Sequence, residues 1–246
     1  MKLLTTAQYK LDKSTGYGWS TVGINLSPAR EASAVLGNPA LPTMCAMSGF
    51  CEKVCLNGSG MNVFDTSAQA RAQRTLRWVT DATLFAQDIL TEIDSAATRA
   101  SRAGLRFAVR PNLLSDQRTL AVTLAKKRPD VQFYDYSKIP LTARQRERLP
   151  RNYHITFSAS ERSTPAQWEA LLAAQTNVAM VFDTPRGGEL PQFWQGPTRE
   201  WHVIDGDLHD LRFLDPKGVV VGLRFKRAKS LLYQSLAAGF VQEACA

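Results

Sequence analysis

The chain has 246 residues, 44% of them hydrophobic and 21% charged, a balance that supplies a core and excludes a disordered polar polymer. Thirty Lys and Arg against 22 Asp and Glu give a formal net charge of +8, which favours polyanionic partners without naming one. No run reaches the roughly 18 apolar residues of a bilayer span, and Met1 to Gln8 lacks the apolar core of a signal peptide, so no membrane role is expected.

No repeat or low-complexity linker interrupts the sequence. We therefore expect one α/β domain over 1–246, with an irregular part at 1–64 and helices and βα units at 65–246. The first strand expected is Trp19 to Leu26. A loop rich in Pro, Gly and Ser follows, from Pro28 to Gly60, and contains three of the four cysteines. Asp65-Thr66-Ser67 caps a helix running to about Val79. A second helix starts at Thr80-Asp81, where Phe85, Ile89, Ile93, Ala97 and Ala100 make one apolar stripe and Gly104 ends it. Alternation then sets in. Strands are expected at Leu105–Val109, Val131–Tyr136, Tyr153–Phe157, Asn177–Phe182, Trp201–Ile204 and Val219–Leu223. Helices are expected at Asp116–Lys127, Thr142–Leu149, Thr164–Ala174 and Lys229–Val241. Short strands separated by helices imply right-handed βαβ units. The fold expected is a partial (β/α) barrel or an open, largely parallel sheet with flanking helices, carrying the cysteine loop after its first strand.

In such folds, ligands bind at the carboxyl ends of the strands. The polar residues there include Asp135 and Lys138, the candidate catalytic groups. Asp116, Ser158 and Glu161 are the candidates for binding a cofactor or substrate. The cysteine loop belongs to the same edge. Its spacing is Cys-x5-Cys-x3-Cys, through Cys45, Cys51 and Cys55, and Gly49 permits a sharp turn between the first two. Three thiolates are one short of a closed tetrahedral or cubane set. Either a distant ligand completes it (His154, His202, His209 or Cys245) or one position stays open.

Three cysteines in the loop after the first strand, followed by βα alternation, resemble the plan of the radical S-adenosylmethionine enzymes. The spacing differs from the Cys-x3-Cys-x2-Cys common there. That resemblance implies a [4Fe–4S] cluster and S-adenosylmethionine as cofactor. The chain also resembles the phage "gene product 88" family. The matching stretches include Leu26-Ser27-Pro28-Ala29, Cys55-Leu56-Asn57, Phe133-Tyr134-Asp135-Tyr136-Ser137-Lys138, Tyr153-His154-Ile155-Thr156-Phe157-Ser158, Val203-Ile204-Asp205-Gly206-Asp207 and Asp210-Leu211-Arg212-Phe213-Leu214-Asp215-Pro216. This second resemblance implies a phage or prophage origin and the cytoplasm of a bacterial host.

Two other groupings invite chemistry. Asp205, Asp207, Asp210 and Asp215, with His202 and His209, could hold Mg²⁺ for a nuclease, or could cap turns. Arg71, Arg74 and Arg77 could present a phosphate-binding face or a wet helix surface. Elbow, phosphate-loop and dinucleotide glycine motifs are absent. The function expected is a phage metalloprotein that binds an iron–sulfur cluster through Cys45, Cys51 and Cys55, with radical chemistry on nucleic acid or a nucleotide. The alternatives are a zinc-stabilised protein that binds nucleic acid or a host factor, and a magnesium-dependent nuclease.

Overall fold

The structure, a computed structural model, describes residues 1–6 and 13–244. It is a mixed α/β protein made of two compact units. The first unit comprises residues 1–46, 55–135 and 141–154. Its strands are β1 (Leu4–Thr5), β2 (Trp19–Ile24), β3 (Arg106–Arg110) and β4 (Gln132–Ser137), the last two residues of β4 counting with the second unit. β1 lies antiparallel on β2, while β2, β3 and β4 run parallel in that order. Val22 faces Val109, and Val109 faces Phe133. Around them stand α1 (Glu31–Leu36), α2 (Asp65–Thr80), α3 (Ala82–Arg102), α4 (Arg118–Lys127) and α5 (Ala143–Glu147).

These elements follow from the sequence by ordinary rules. Central strands carry β-branched and aromatic residues that stay buried, as parallel strands covered on both faces require. Asp81 caps α3, its carboxylate accepting from Leu84 N at 2.9 Å. The buried stripe of α3 is Phe85, Ala86, Ile89, Ile93, Ala96 and Ala100. Ala96 therefore takes the place expected for Ala97, because i+3 follows Ile93 more closely in this helix.

The second unit comprises residues 47–54, 136–140 and 155–246. Its strands are β5 (Tyr153–Ser158, entering from the first unit), β6 (Val178–Phe182), β7 (Phe193–Gln195), β8 (Glu200–Asp205), β9 (Val220–Arg224) and β10 (Val241–Gln242). The parallel order is β5-β6-β9-β8. β10 adds in parallel to β6, and β7 adds antiparallel to β8. Helices α6 (Pro165–Ala173) and α7 (Lys229–Ala237) accompany them. Thr164 and Gln167 form a reciprocal capping box at the start of α6, with Pro165 in its first turn. Phe157, Trp168, Leu172, Val178, Met180, Phe182, Trp194, Trp201 and Val220 form the core.

The sheet in each unit is largely parallel, open and flanked by helices; neither closes a barrel. The first strand of the chain is β1, so the cysteine segment follows β2, the first parallel strand. The last helix stops at Ala237 rather than near Val241: Gly239 takes φ +76° and the chain turns into β10. Among the described residues no helix is long and apolar enough to cross a membrane.

Candidate cysteine site

In the first unit, the loop after β3 is organised by one carboxylate. Asp135, near the end of β4, is 1% exposed. It accepts from Asn112 N and Asn112 Nδ2, both at 2.8 Å, and from Tyr153 Oη at 3.0 Å. Asn112 Oδ1 in turn accepts from Ser115 Oγ at 2.9 Å and from Gln117 N at 2.8 Å. The loop so fixed holds the start of the cysteine segment. Asp116 N and Gln117 Nε2 donate to Met44 O at 2.9 and 3.0 Å. Cys45 Sγ lies 3.6 Å from Leu114 O and accepts from Ala29 N at 3.3 Å. Burial pushes the Asp135 carboxyl up to about 7, against the hydrogen bonds of Asn112 and Tyr153 and the charge of Arg110, which favour its ionised form. The Tyr153 phenol is driven upward by burial and by Asp135.

The other end of the segment has its own anchor in the same unit. Cys55 precedes the 3-10 turn Leu56–Gly58. Asn57 Nδ2 donates to Glu31 Oε1 at 3.1 Å. Arg71 grips the same carboxylate with Nε and Nη2 at 2.7 and 2.6 Å and also reaches Asn62 O at 3.1 Å. Its side chain is 1% exposed. Burial raises the Glu31 pKa, but the bonds from Arg71 and Asn57 outweigh it and leave the carboxyl below its ordinary value. Arg71 is thus an interior clamp, not one of a wet row. Arg74 donates to Lys2 O at 3.1 Å, and Arg77 pairs with Asp88, so the three arginines do not form a phosphate-binding face.

In the second unit, Cys51 sits in the 3-10 turn Phe50–Glu52. Phe50 N donates to Glu161 Oε1 at 2.6 Å. A Cβ at Gly49 would stand 1.8 Å from that oxygen, so only glycine admits the carboxylate here. Lys138 Nζ donates to Ser158 Oγ at 3.0 Å and lies 5.8 Å from the centre of the Phe240 ring. Phe240 packs 6.5 Å from Phe50, and Lys53 lies 5.3 Å from the Phe50 ring.

The expected site residues therefore fall into two groups. Cys45, Asp116 and Asp135 share the loop network of the first unit, with Cys55 anchored separately there. Cys51, Lys138, Ser158 and Glu161 share the second. Cys45, Cys51 and Cys55 are each half-buried. Among the described residues, no three His, Cys, Asp or Glu side chains gather closely enough to hold a metal ion. Of the proposed fourth ligands, His209 already accepts from Leu211 N at 3.2 Å through Nδ1. His202 is exposed and edge-on to Phe193. Cys245 lies outside the described residues. Glu31 was not singled out from the sequence, and Asn57 only within the family stretch Cys55-Leu56-Asn57, because nothing local marks a glutamate as the partner of a residue 26 positions on.

Three carboxylates of the second unit's acidic grouping, Asp205, Asp207 and Asp215, face cations. Arg224 forks onto Asp205 at 2.9 Å and reaches Asp207 at 3.2 Å, and Lys226 meets Asp207 at 2.5 Å. Arg212, fully buried, lies 3.3 Å from Asp215 and donates to His209 O at 2.6 Å. A cavity of about 530 Å³ in the first unit, walled in part by Thr21, Glu92 and Arg99, is lined by none of the site residues expected from the sequence.

Fold and site together define a mixed α/β protein whose cysteine-bearing stretch is held by carboxylates from a strand (Asp135), a helix (Glu31) and a loop after a strand (Glu161). The chain belongs to the Gene product 88 family, a phage family, whose model matches residues 3–244. No curated protein and no solved structure matches it.

Proposed function

We propose that this is a metalloprotein in which the segment Cys45–Cys55 binds an iron–sulfur cluster, with zinc as the second reading. One observation carries the proposal: each cysteine-bearing stretch has its own carboxylate anchor, Asp135 acting through Asn112 and Gln117, Glu161 on Phe50, and Glu31 on Asn57. Ordering coil costs about 1–2 kcal/mol per residue, and burying carboxylates adds to that cost. Such an outlay on a segment whose distinctive side chains are three thiols fits a ligand loop held by its outer shell. Iron is favoured over zinc because three thiols leave one position open, and because the first gap, five residues, exceeds the two to four usual in zinc knuckles.

The thiols do not stand gathered as a metal group, so metal binding has to draw the segment together. The likeness to radical S-adenosylmethionine enzymes gives the open position a role, but we derive no reaction through it. Asp135, expected as a catalytic group, is too deeply buried and too fully engaged to meet a substrate in this arrangement. We read it as a positioning residue. The nuclease reading is disfavoured because Asp205, Asp207 and Asp215 already face arginine or lysine.

The test is purification without oxygen, followed by measurement of iron, sulfide, zinc and the visible spectrum. Matching iron and sulfide with a broad visible charge-transfer band supports the cluster. Stoichiometric zinc in a colourless protein replaces it with the second reading. A protein that takes up neither metal after reconstitution overturns both.

A further inference from the structure

One concentration of the chain's positive charge lies in the first unit. Residues 126–130 and 141–151 carry Lys126, Lys127, Arg128, Arg144, Arg146, Arg148 and Arg151 against Asp130 and Glu147. These sixteen residues hold a net +5; residues 217–229 hold as much, but there Arg224 and Lys226 are paired with Asp205 and Asp207. Folding brings the two stretches together. Asn152 Nδ2 spans the carbonyls of Ala125, Arg128 and Val131 at 3.0, 2.9 and 2.8 Å, fastening the turn after α5 to the carboxyl end of α4. Arg128 is consumed by Asp130 and Asp94. Lys126, Lys127, Arg144, Arg148 and Arg151 are exposed.

We propose that this surface binds the phosphate backbone of duplex nucleic acid without reading its sequence. Clustered cations bind polyphosphate by releasing its counterions, and arginine forks match phosphate oxygens. None of the exposed large apolar side chains lies in either stretch. The patch thus lacks the apolar face that membrane insertion uses and the rings on which unpaired bases stack. What remains is charge arranged for a backbone. The inference is independent of the metal reading.

Its test is fluorescence anisotropy with a labelled duplex of arbitrary sequence, at low and moderate salt. The wild-type chain is compared with a variant carrying Lys126→Gln, Lys127→Gln, Arg148→Gln and Arg151→Gln. The control removes the same charge elsewhere on the surface, through Arg99→Gln, Arg102→Gln, Lys217→Gln and Lys229→Gln. With about four phosphates engaged, wild-type affinity falls roughly 100-fold between 50 and 200 mM salt. The patch variant binds at least tenfold more weakly at the lower salt, with a flatter salt slope, while the control stays within about threefold of wild type. Should the quadruple variant melt early, Arg148→Gln with Arg151→Gln carries the same comparison at smaller amplitude. Equal losses in patch and control variants, no duplex binding at low salt, or equally tight binding to polyglutamate or to anionic vesicles each overturn the assignment.

Discussion

Asp135 shows how one residue sets the behaviour of a loop. Three donors converge on a carboxyl that burial pushes up to about 7. In the unfolded chain the same group titrates near 3.9. Between those values the native protein holds a proton that the unfolded chain has released, so this group's contribution to stability falls as pH rises, by up to roughly 1.4 kcal/mol per pH unit. Asp215, raised to about 6 by burial, acts with the same sign over a lower window. His209, lowered by burial and by Arg212, acts with the opposite sign. The comparison is therefore wild type against Asp135→Asn, in urea unfolding between pH 6 and 7. The difference in stability between the two proteins should change across that interval, and a constant difference would remove the titration from Asp135. Gly49 offers a steric counterpart. Gly49→Ala should expel Glu161 from Phe50 N, costing about 1–3 kcal/mol and raising the alkylation rate of Cys51 several-fold in metal-free protein. Glu161→Gln keeps an acceptor and should leave that rate nearly unchanged.

Elements are the scale at which the sequence spoke most clearly. Alternating strands and helices from Leu105 onward were legible because period-2 and period-3.6 apolar patterns are local. The helix starts near Asp81 and Thr164 were legible for the same reason, but the cap expected at Asp65-Thr66-Ser67 is not formed: α2 starts after Phe64 with no side-chain cap hydrogen bond. Asp81→Ala should lower stability by about 1 kcal/mol, read as a shifted urea midpoint with an unchanged slope. What the sequence hid was decided by contacts far along the chain. Helix α1 lies in a Pro- and Gly-rich stretch, and Ala32 is buried in a small cluster with Leu41 and Ala72. The two- and three-residue strands β1, β7 and β10 are too short for any periodicity and exist through their partners. The candidate site divides in the same way. Its cysteines, Asp116, Asp135, Lys138, Ser158 and Glu161 could be named from their positions at or beyond strand ends. That Asp135 holds Asn112, and that Glu161 holds a backbone N–H rather than a ligand, could not, since both depend on side-chain direction after packing.

For the whole molecule, the notable feature is the cysteine-bearing stretch 44–57, tied at Met44 through Gln117, Asn112 and Asp135, at Phe50 by Glu161, and at Asn57 by Glu31. Disorder would be the default for such a segment, and its anchorage makes sense if the thiols have a shared task. The basic patch on the first unit's surface is a separate feature, and the duplex binding proposed for it is expected to depend on salt rather than on metal. The most direct measurement is the metal content per chain after anaerobic reconstitution of the wild type and of Cys45→Ser, Cys51→Ser and Cys55→Ser, each checked for an unchanged melting temperature in the metal-free state. The account predicts a filled site in the wild type and loss of most of the metal in every single variant. A wild type that stays empty, or variants that load as well as it does, would contradict the shared task of the three thiols.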